Sequence, residues 1–507
     1  MNFSDKDINQ IKSHGLTPQA VEEQTENFKK GFAPILLYKA ATLGDGILSF
    51  SEEDRAKYIS FYGEKRKNLK IKKFVPASGA ATRMMKDLYS FVSEYKDEIS
   101  TPLKNFPAVE KLLLNIEKFA FFSELQDKMK QNGEDLNSEY EKKNYKNIVE
   151  YILLEKGLNY GKSPKAWIVF HRENITPFEE HLAEAEQYCK DLNGRAAIEF
   201  SIQEDHLQGF EMLKERVQSK CEKNLGVKYD ITFSFQQKST DTVAVDMENN
   251  PIHDKNGDLV FRPAGHGALI RNISNLDADV VFIKNIDNVS SRYRQTTYEY
   301  KKFLGGLLLE LKEKTAELLS ELEKTDISRD NLTYIYNRIK KDIFVSELKR
   351  YEDFNSEELY REYLKQFLDR PLRVCGMVKN EGEPGGGPFF VKKSGEVSLQ
   401  IVEKAQVDLE DASQKDLFMK ATHFNPVDLV LSLTDAKGKK YDLERYIDKE
   451  TGFISVKSFE GKDIKAMERP GLWNGAMAGW LTVFAQVPSE TFSPVKTIND
   501  LLKEPHQ

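Results

Sequence analysis

The sequence predicts an α/β protein, a three-layer sandwich built on a mixed, mostly parallel sheet. From residue 71 onward, short apolar runs alternate with longer amphipathic stretches, which is typical of strands joined by helices. The chain has 507 residues, of which 40% are hydrophobic and 31% charged, enough for two or three structural units. No window approaches the roughly 20 apolar residues that a membrane-spanning helix needs.

Charge and cysteine content narrow the class of function. A net charge of −7 argues against a nucleic-acid-binding protein. The scattered Cys189, Cys221 and Cys375 form neither a disulfide framework nor a CxxC metal site. The first residues lack the apolar core of a signal peptide. We therefore expect a cytoplasmic protein that binds neither nucleic acid nor membranes, and the sequence leaves its oligomeric state open.

The first 70 residues are predicted to form a helical region. Residues 19–37 mix charged and apolar side chains at helical spacing. Ser51 is followed by three acidic residues, which is the pattern of an N-cap and an acidic first turn.

A core region is predicted from residue 71 to residue 297. Its apolar runs predict strands at 73–77, 166–171, 196–202, 229–236 and 278–284. Thr176, Pro177 and Glu179 predict the start of a helix that runs through residue 190. An acidic cluster on this helix predicts a solvated face: Glu179, Glu180, Glu184 and Glu186.

The remaining chain divides into two parts. Residues 298–368 are leucine-rich and highly charged, which predicts a helical insertion packed on the core. Residues 383–395 predict a loop and hairpin that return to a strand at 397–402. The predicted domains are therefore 1–70, 71–297, 298–368 and 369–507, the last of which completes the core.

The segment from residue 261 to residue 288 carries the strongest functional signal. Gly265 and Gly267 flank His266, and a backbone almost free of side chains lets a planar base or a phosphate approach closely. The apolar run 280–283 then delivers Asp287 to the carboxyl end of a strand, where open α/β sheets bind their ligands. A carboxylate there is a natural Mg²⁺ ligand beside phosphates.

A second candidate segment, Phe74 to Met84, joins a strand to a helix through a loop of small residues, Ala77 to Thr82. Its backbone N–H groups are expected to bind phosphate oxygens, and Arg83 supplies a charged fork. A tight turn without a ligand explains the segment equally well, and the Gly-Lys-Ser/Thr of a P-loop is absent. Near the end of the sequence Lys496 follows Pro494, and on its own it is interpreted as a solvated loop lysine.

These motifs occur in one order that resembles the UDP-sugar pyrophosphorylase family, nucleotidyltransferases that include UTP–glucose-1-phosphate uridylyltransferase. The chain looks like a divergent, bacterial-type member. The similarity extends over residues 70–290 and 370–505, and its motifs are at 79–84, 235–237, 263–267, 285–288 and 492–502. It implies the GT-A-like fold of nucleotide-diphospho-sugar transferases.

The resemblance also implies roles for individual residues. The implied catalytic residues are Arg83, Asp287 and Lys496, with Asp287 holding Mg²⁺. The implied nucleotide-binding residues are Ser78, Gly79, Ala80, Ala81, Thr82, Gln237, Gly265, His266 and Gly267. The implied sugar-binding residues are Gly376, Glu403 and Asn425.

The implied reaction joins a nucleoside triphosphate, UTP in the family, to a sugar 1-phosphate and releases pyrophosphate. The sequence departs from the family at Ala80-Ala81, where at least one glycine is usual. The Pro-Lys that follows the loop in the family is also missing, and Lys86 and Lys104 are alternative replacements. Two other functions remain open: a glycosyltransferase of the same fold, and a nucleotide-sugar sensor without turnover. The sequence does not specify the sugar.

Overall fold

Helices and strands alternate along the chain in the computed structural model, which describes residues 3–79, 81–324, 327–345, 347–382, 385–393 and 395–507. The helices are α1 (Asp5–Ser13), α2 (Pro18–Lys30), α3 (Glu52–Lys65), α4 (Lys86–Glu94), α5 (Pro107–Leu114), α6 (Phe122–Gln131), α7 (Leu136–Glu141), α8 (Tyr145–Leu153), α9 (Pro177–Cys189), α10 (Leu207–Leu225), α11 (Ile270–Asn275), α12 (Arg294–Leu322), α13 (Arg329–Asp342), α14 (Glu357–Leu368) and α15 (Ala412–Met419). The strands are β1 (Leu37–Ala40), β2 (Thr42–Leu43), β3 (Gly46–Leu48), β4 (Ile71–Pro76), β5 (Arg195–Ile202), β6 (Lys228–Phe235), β7 (Thr242–Val243), β8 (Phe261–Arg262), β9 (Val280–Lys284), β10 (Leu372–Lys379), β11 (Gly387–Lys393), β12 (Glu396–Val402), β13 (His423–Phe424), β14 (Asp428–Ser432), β15 (Phe453–Phe459), β16 (Lys462–Glu468) and β17 (Leu481–Gln486).

The fold is α/β with a mostly parallel central sheet, as the sequence predicts. Parallel pairs join β4 to β5, β10 to β17 and β17 to β3, whereas β14 runs antiparallel to β10. β10 is buried along almost its whole length, which fits a strand covered on both faces. No helix within the described residues is long and apolar enough to cross a membrane.

The chain divides into two compact units. The first unit comprises Met1–Lys70, Ser234–Phe282 and Lys302–Val487. The second unit comprises Ile71–Phe233, Ile283–Lys301 and Pro488–Gln507.

The predicted start of α9 is confirmed, but its predicted solvated face is wrong. Thr176 accepts from Glu179 N, and the Glu179 carboxylate binds the Thr176 backbone in return, which closes a capping box. The four acidic residues are nevertheless buried, because each carboxylate has a partner within the second unit. Their partners include Lys220 for Glu179, Arg294 for Glu180, Lys73 for Glu184 and Lys190 for Glu186.

The strand predicted at 166–171 is also wrong. Pro164 precedes a 3-10 turn at Lys165–Trp167, and His171 forms only an isolated bridge with Ile175. The apolar side chains between them are buried in a largely helical cluster. An apolar run therefore indicated burial here but not a hydrogen-bonded ladder.

Other parts of the prediction agree with the structure to different degrees. The strands predicted at 73–77, 196–202, 229–236 and 278–284 correspond to β4, β5, β6 and β9. The N-terminal 70 residues contain α1–α3 but also β1–β3, which the prediction missed. Residues 298–368 contain most of α12 together with α13 and α14. In the predicted hairpin β11 pairs with β12, while Glu383, Pro384 and Ser394 lie outside the described residues.

Candidate functional site

A buried carboxylate just after β9 is bound by two lysines of the second unit. Asp287 is 5% exposed, and its Oδ2 accepts from Lys165 Nζ at 2.6 Å and from Lys496 Nζ at 3.0 Å. Burial alone would raise the pKa of Asp287, but the charges and hydrogen bonds of Lys165 and Lys496 outweigh it and lower the pKa. The carboxylate is therefore ionised and shared by two ammonium groups.

Lys165 is the residue that sequence reasoning missed. Its Nζ also donates to the carbonyl of Val495 at 2.7 Å, so it ties Asp287 to the segment that precedes Lys496. The signal was the dipeptide Pro164-Lys165, which lies far beyond the small-residue loop where a Pro-Lys was sought. The two alternatives, Lys86 and Lys104, are exposed.

The backbone around Lys496 is attached to the end of β9. Val495 N donates to Asp287 O at 3.1 Å, and Ser493 N donates to the side chain of Asn288 at 2.8 Å. Lys496 N donates to Asp500 Oδ2 at 2.8 Å. The Lys496 backbone is thus held on both sides, while its side chain is 58% exposed.

The small-residue loop lies beside the Lys165 segment. Ala81 N donates to Ser163 O at 3.2 Å. Arg83 is exposed, and its positive charge, after burial and the charge of Lys496, helps to lower the pKa of Lys165. The structure thus brings Lys165, Asp287 and Lys496 into contact in the second unit, and Arg83 is near enough for its charge to act on Lys165.

The other predicted loop residues differ in burial. Ser78 is half-buried, Thr82 and Gly79 are exposed, and Ala81 is buried. A Cβ added at Gly79 would meet nothing within 4 Å, so this side of the loop is open. Ala80 lies outside the described residues.

In the first unit, the Gly265-His266-Gly267 turn is enclosed by its own neighbours. Gly265 has φ +75°, a conformation that favours glycine. A Cβ at Gly267 would lie 2.0 Å from Pro470 O, so the backbone at Pro470 occupies the space in which a base or a phosphate was expected. Gly267 is therefore required by its packing against Pro470 and not by the close approach of a ligand, whereas its role beside a nucleotide stays a prediction.

His266 is held by the segment that follows β16. Its ring stacks on Trp473 with centroids 4.3 Å apart, and its Nδ1 accepts from Leu472 N at 3.0 Å. Burial lowers the pKa of His266 to about 4. The ring is therefore neutral at pH 7, and because Nδ1 is an acceptor, Nε2 carries the proton.

Arg469 joins the turn after Gln237 to the turn before His266. Its Nε donates to Thr240 O at 2.8 Å, and its backbone N donates to Ala264 O at 3.0 Å. Thr240 N in turn donates to Gln237 O at 2.8 Å. The two predicted base-binding segments are therefore neighbours in the first unit, with the Gln237 side chain half-buried.

The three predicted sugar-binding residues also form a connected group in the first unit. Asn425 donates from Nδ2 to Gly376 O at 3.0 Å and from its backbone to Gly386 O at 2.9 Å. A Cβ at Gly386 would lie 3.5 Å from Glu403 Cγ. Burial raises the pKa of Glu403, although a hydrogen bond with Asn474 acts in the opposite direction. Glu403 remains a candidate acceptor for sugar hydroxyl groups.

The candidate metal ligand is a single carboxylate. Within the part of the chain that the structure describes, no three His, Cys, Asp or Glu side chains converge to hold a metal ion. Both lysines bind the same oxygen of Asp287, Oδ2, which leaves Oδ1 as the oxygen for a cation.

The chain resembles UDP-glucose pyrophosphorylase from Leishmania major with 11% identity and a TM-score of 0.42, covering 99% of this chain and 79% of the other. It resembles UDP-N-acetylglucosamine pyrophosphorylase from Trypanosoma brucei with 11% identity and a TM-score of 0.48, covering 95% and 74%. Similarity at this level carries no inference about activity. No curated protein matches the chain. The model of a family described as "Domain of unknown function (DUF4301)" matches residues 4–507, so the chain belongs to that family.

Proposed function

We propose that the protein is a nucleotidyltransferase that forms a UDP-sugar and pyrophosphate from UTP and a sugar 1-phosphate. The observation that carries this proposal is the arrangement of Lys165 and Lys496 on Asp287, with Arg83 beside them. The order of motifs that resembles the UDP-sugar pyrophosphorylase family supports it.

The charge balance of this site favours a polyanion. Arg83, Lys165 and Lys496 carry three positive charges against the single carboxylate of Asp287. The side chain of Lys165 is 14% exposed and makes two hydrogen bonds, so it is a fixed charge. The side chain of Lys496 is bonded to Asp287 but exposed, so a phosphate can reach it. Prepositioned cations of this kind stabilise the charge that develops on transferring phosphoryl groups.

The residues present fit a magnesium ion that arrives with the phosphates. Mg²⁺ is usually bound through one or two carboxylates plus substrate phosphates and water, and Oδ1 of Asp287 would supply the carboxylate. When bound, the ion would neutralise charge on the phosphate oxygens.

In the proposed reaction, an oxygen of the sugar phosphate attacks the α-phosphorus of UTP. A new P–O bond forms, and the bond between the α-phosphorus and the α–β bridging oxygen breaks. The electron pair leaves with pyrophosphate, whose charge Lys496 and Arg83 stabilise. Positioning and charge neutralisation suffice for this transfer, so no covalent enzyme intermediate is required.

We assign recognition of the base and the sugar to the residues that the family resemblance implies. Gln237 and the turn from Gly265 to Gly267 would contact uracil, while Glu403 and Asn425 would bind sugar hydroxyl groups. The hydrogen bonds by which Arg469 joins the turn after Gln237 to the turn before His266 support this assignment. The partly buried carboxylate of Glu403 supports it as well.

Pyrophosphate release from UTP and a panel of sugar 1-phosphates, with Mg²⁺, tests the proposal. We expect release that depends on both substrates and is abolished in Asp287→Ala. Asp87→Ala, at an exposed carboxylate on α4, is the matched control and should retain activity. Nucleotide binding without pyrophosphate release would favour a sensor instead, and transfer from a supplied UDP-sugar would favour a glycosyltransferase.

A further inference from the structure

Four polar side chains form a chain of contacts in the second unit, separate from the direct contacts of Asp287. Arg294 donates to Glu180 from Nε at 2.9 Å and from Nη2 at 2.5 Å. His171 Nδ1 lies 2.6 Å from Glu180 Oε1, and His171 Nε2 lies 3.0 Å from His506 Nδ1. We call these four residues the histidine latch.

Three of the four latch residues are buried, and the side chain of Arg294 is 37% exposed. Glu180, His171 and His506 are each no more than 2% exposed. The ionised carboxylate orients His171, because Nδ1 must donate to it and only Nε2 then faces His506. The His506 ring also stacks on His171 and meets the edge of Phe170. Buried polar side chains bonded in series favour a single set of side-chain positions, since any other set leaves a buried polar group without its partner.

Hydrogen bonds connect the latch to the backbone of Lys496. His506 N donates to Lys503 O at 3.0 Å, and Lys503 pairs with Asp500 at 2.8 Å. Asp500 in turn accepts from Lys496 N at 2.8 Å and from Thr497 N at 2.7 Å. The residue before His506, Pro505, accepts a hydrogen bond on its carbonyl oxygen from Ser291 N at 3.1 Å.

Lys496 depends on these bonds for its position. Its side chain is largely exposed, and its Nζ is placed by the contact with Asp287 and by the backbone that carries it. That backbone is attached to β9 through Val495 on one side and to Asp500 on the other. We propose that His506, held by His171 and Glu180, is a positioning residue that seats Lys496 for the proposed reaction.

The proposal is tested with His506→Phe, which keeps an aromatic ring but removes the bond to His171. Hydrogen exchange at the amides of Lys496 and Thr497 should be at least tenfold faster than in the wild type. His506→Asn, whose amide can replace Nδ1, should restore part of the protection. Glu504→Gln removes the carboxylate charge that faces Arg292 and Tyr293 at the surface of the same segment and should leave exchange unchanged.

Turnover provides a second readout, which rests on the proposed function. His506→Phe should lower kcat about tenfold or more, but it should have little further effect when Lys496 is already alanine, because it acts through that lysine. Unchanged exchange at Lys496 in His506→Phe, or an undiminished loss of kcat in the Lys496→Ala background, would overturn the proposal. Failure of the wild type to release pyrophosphate refutes the proposed function alone, since the exchange measurement does not depend on turnover.

Discussion

Replacing Lys165 by methionine removes one ammonium group from Asp287 and keeps the length of the side chain. Lys165 makes two hydrogen bonds, to Asp287 at 2.6 Å and to Val495 O at 2.7 Å, and its side chain is 14% exposed. Hydrogen bonds to charged groups contribute about 1.5–3 kcal/mol each, and loss of a key charged stabiliser costs about 3–4 kcal/mol of transition-state free energy. We therefore expect kcat to fall about 10²–10³-fold in Lys165→Met.

The free energy of unfolding should fall by less than the transition-state stabilisation in this variant, because Lys496 still pairs with Asp287. We expect a loss of about 1–3 kcal/mol in the free energy of unfolding, by the cost of leaving a buried acceptor poorly paired. The assay measures pyrophosphate release and thermal unfolding, with Lys162→Met as the control, since Lys162 pairs with Glu155 at the exposed surface. Wild-type turnover in a folded Lys165→Met protein would refute the assignment of Lys165.

Three further predictions concern stability. Gly267→Ala should cost about 1–3 kcal/mol because its Cβ would meet Pro470 O, whereas Gly79→Ala should unfold like the wild type, and chemical denaturation separates the two. The pKa of His266 is about 4 in the folded protein instead of the ordinary 6.5, so between these pH values the unfolded chain binds a proton that the folded protein does not. The free energy of unfolding should therefore fall as the pH drops from 6.5 to 4, and its dependence on pH should be weaker in His266→Phe. Glu184→Gln leaves two buried lysines without their carboxylate and should lower the free energy of unfolding by about 3–5 kcal/mol, and an unchanged melting temperature would contradict this.

Local sequence patterns predicted much of the fold. The strands β4, β5, β6 and β9 were predicted because compact apolar runs bounded by polar residues match the length of buried strands. Residues 166–171 have the same pattern without strand pairing, since Pro164 and the turn after it redirect the chain. The acidic face of α9 was misjudged because its partners, such as Lys73 and Arg294, are distant in sequence.

The candidate site could be predicted only where a residue stands within a compact motif. Asp287 follows an apolar strand and Arg83 follows a small-residue loop, so both were found from local sequence. Lys165 follows a proline but stands outside these compact motifs, and His506 has no local marker, because a lysine or histidine shows its role only when the fold supplies its partner. The sequence therefore did not reveal the contacts between side chains that are distant along the chain.

A crystal structure of the protein with UTP and Mg²⁺ is the most direct test of the central claim, that Lys165, Lys496 and Arg83 form a triphosphate site around Asp287. The account predicts phosphate oxygens in hydrogen-bond contact with Lys165 or Lys496, and a metal ion on Asp287. A triphosphate bound elsewhere, with both lysines still paired to Asp287, would contradict it.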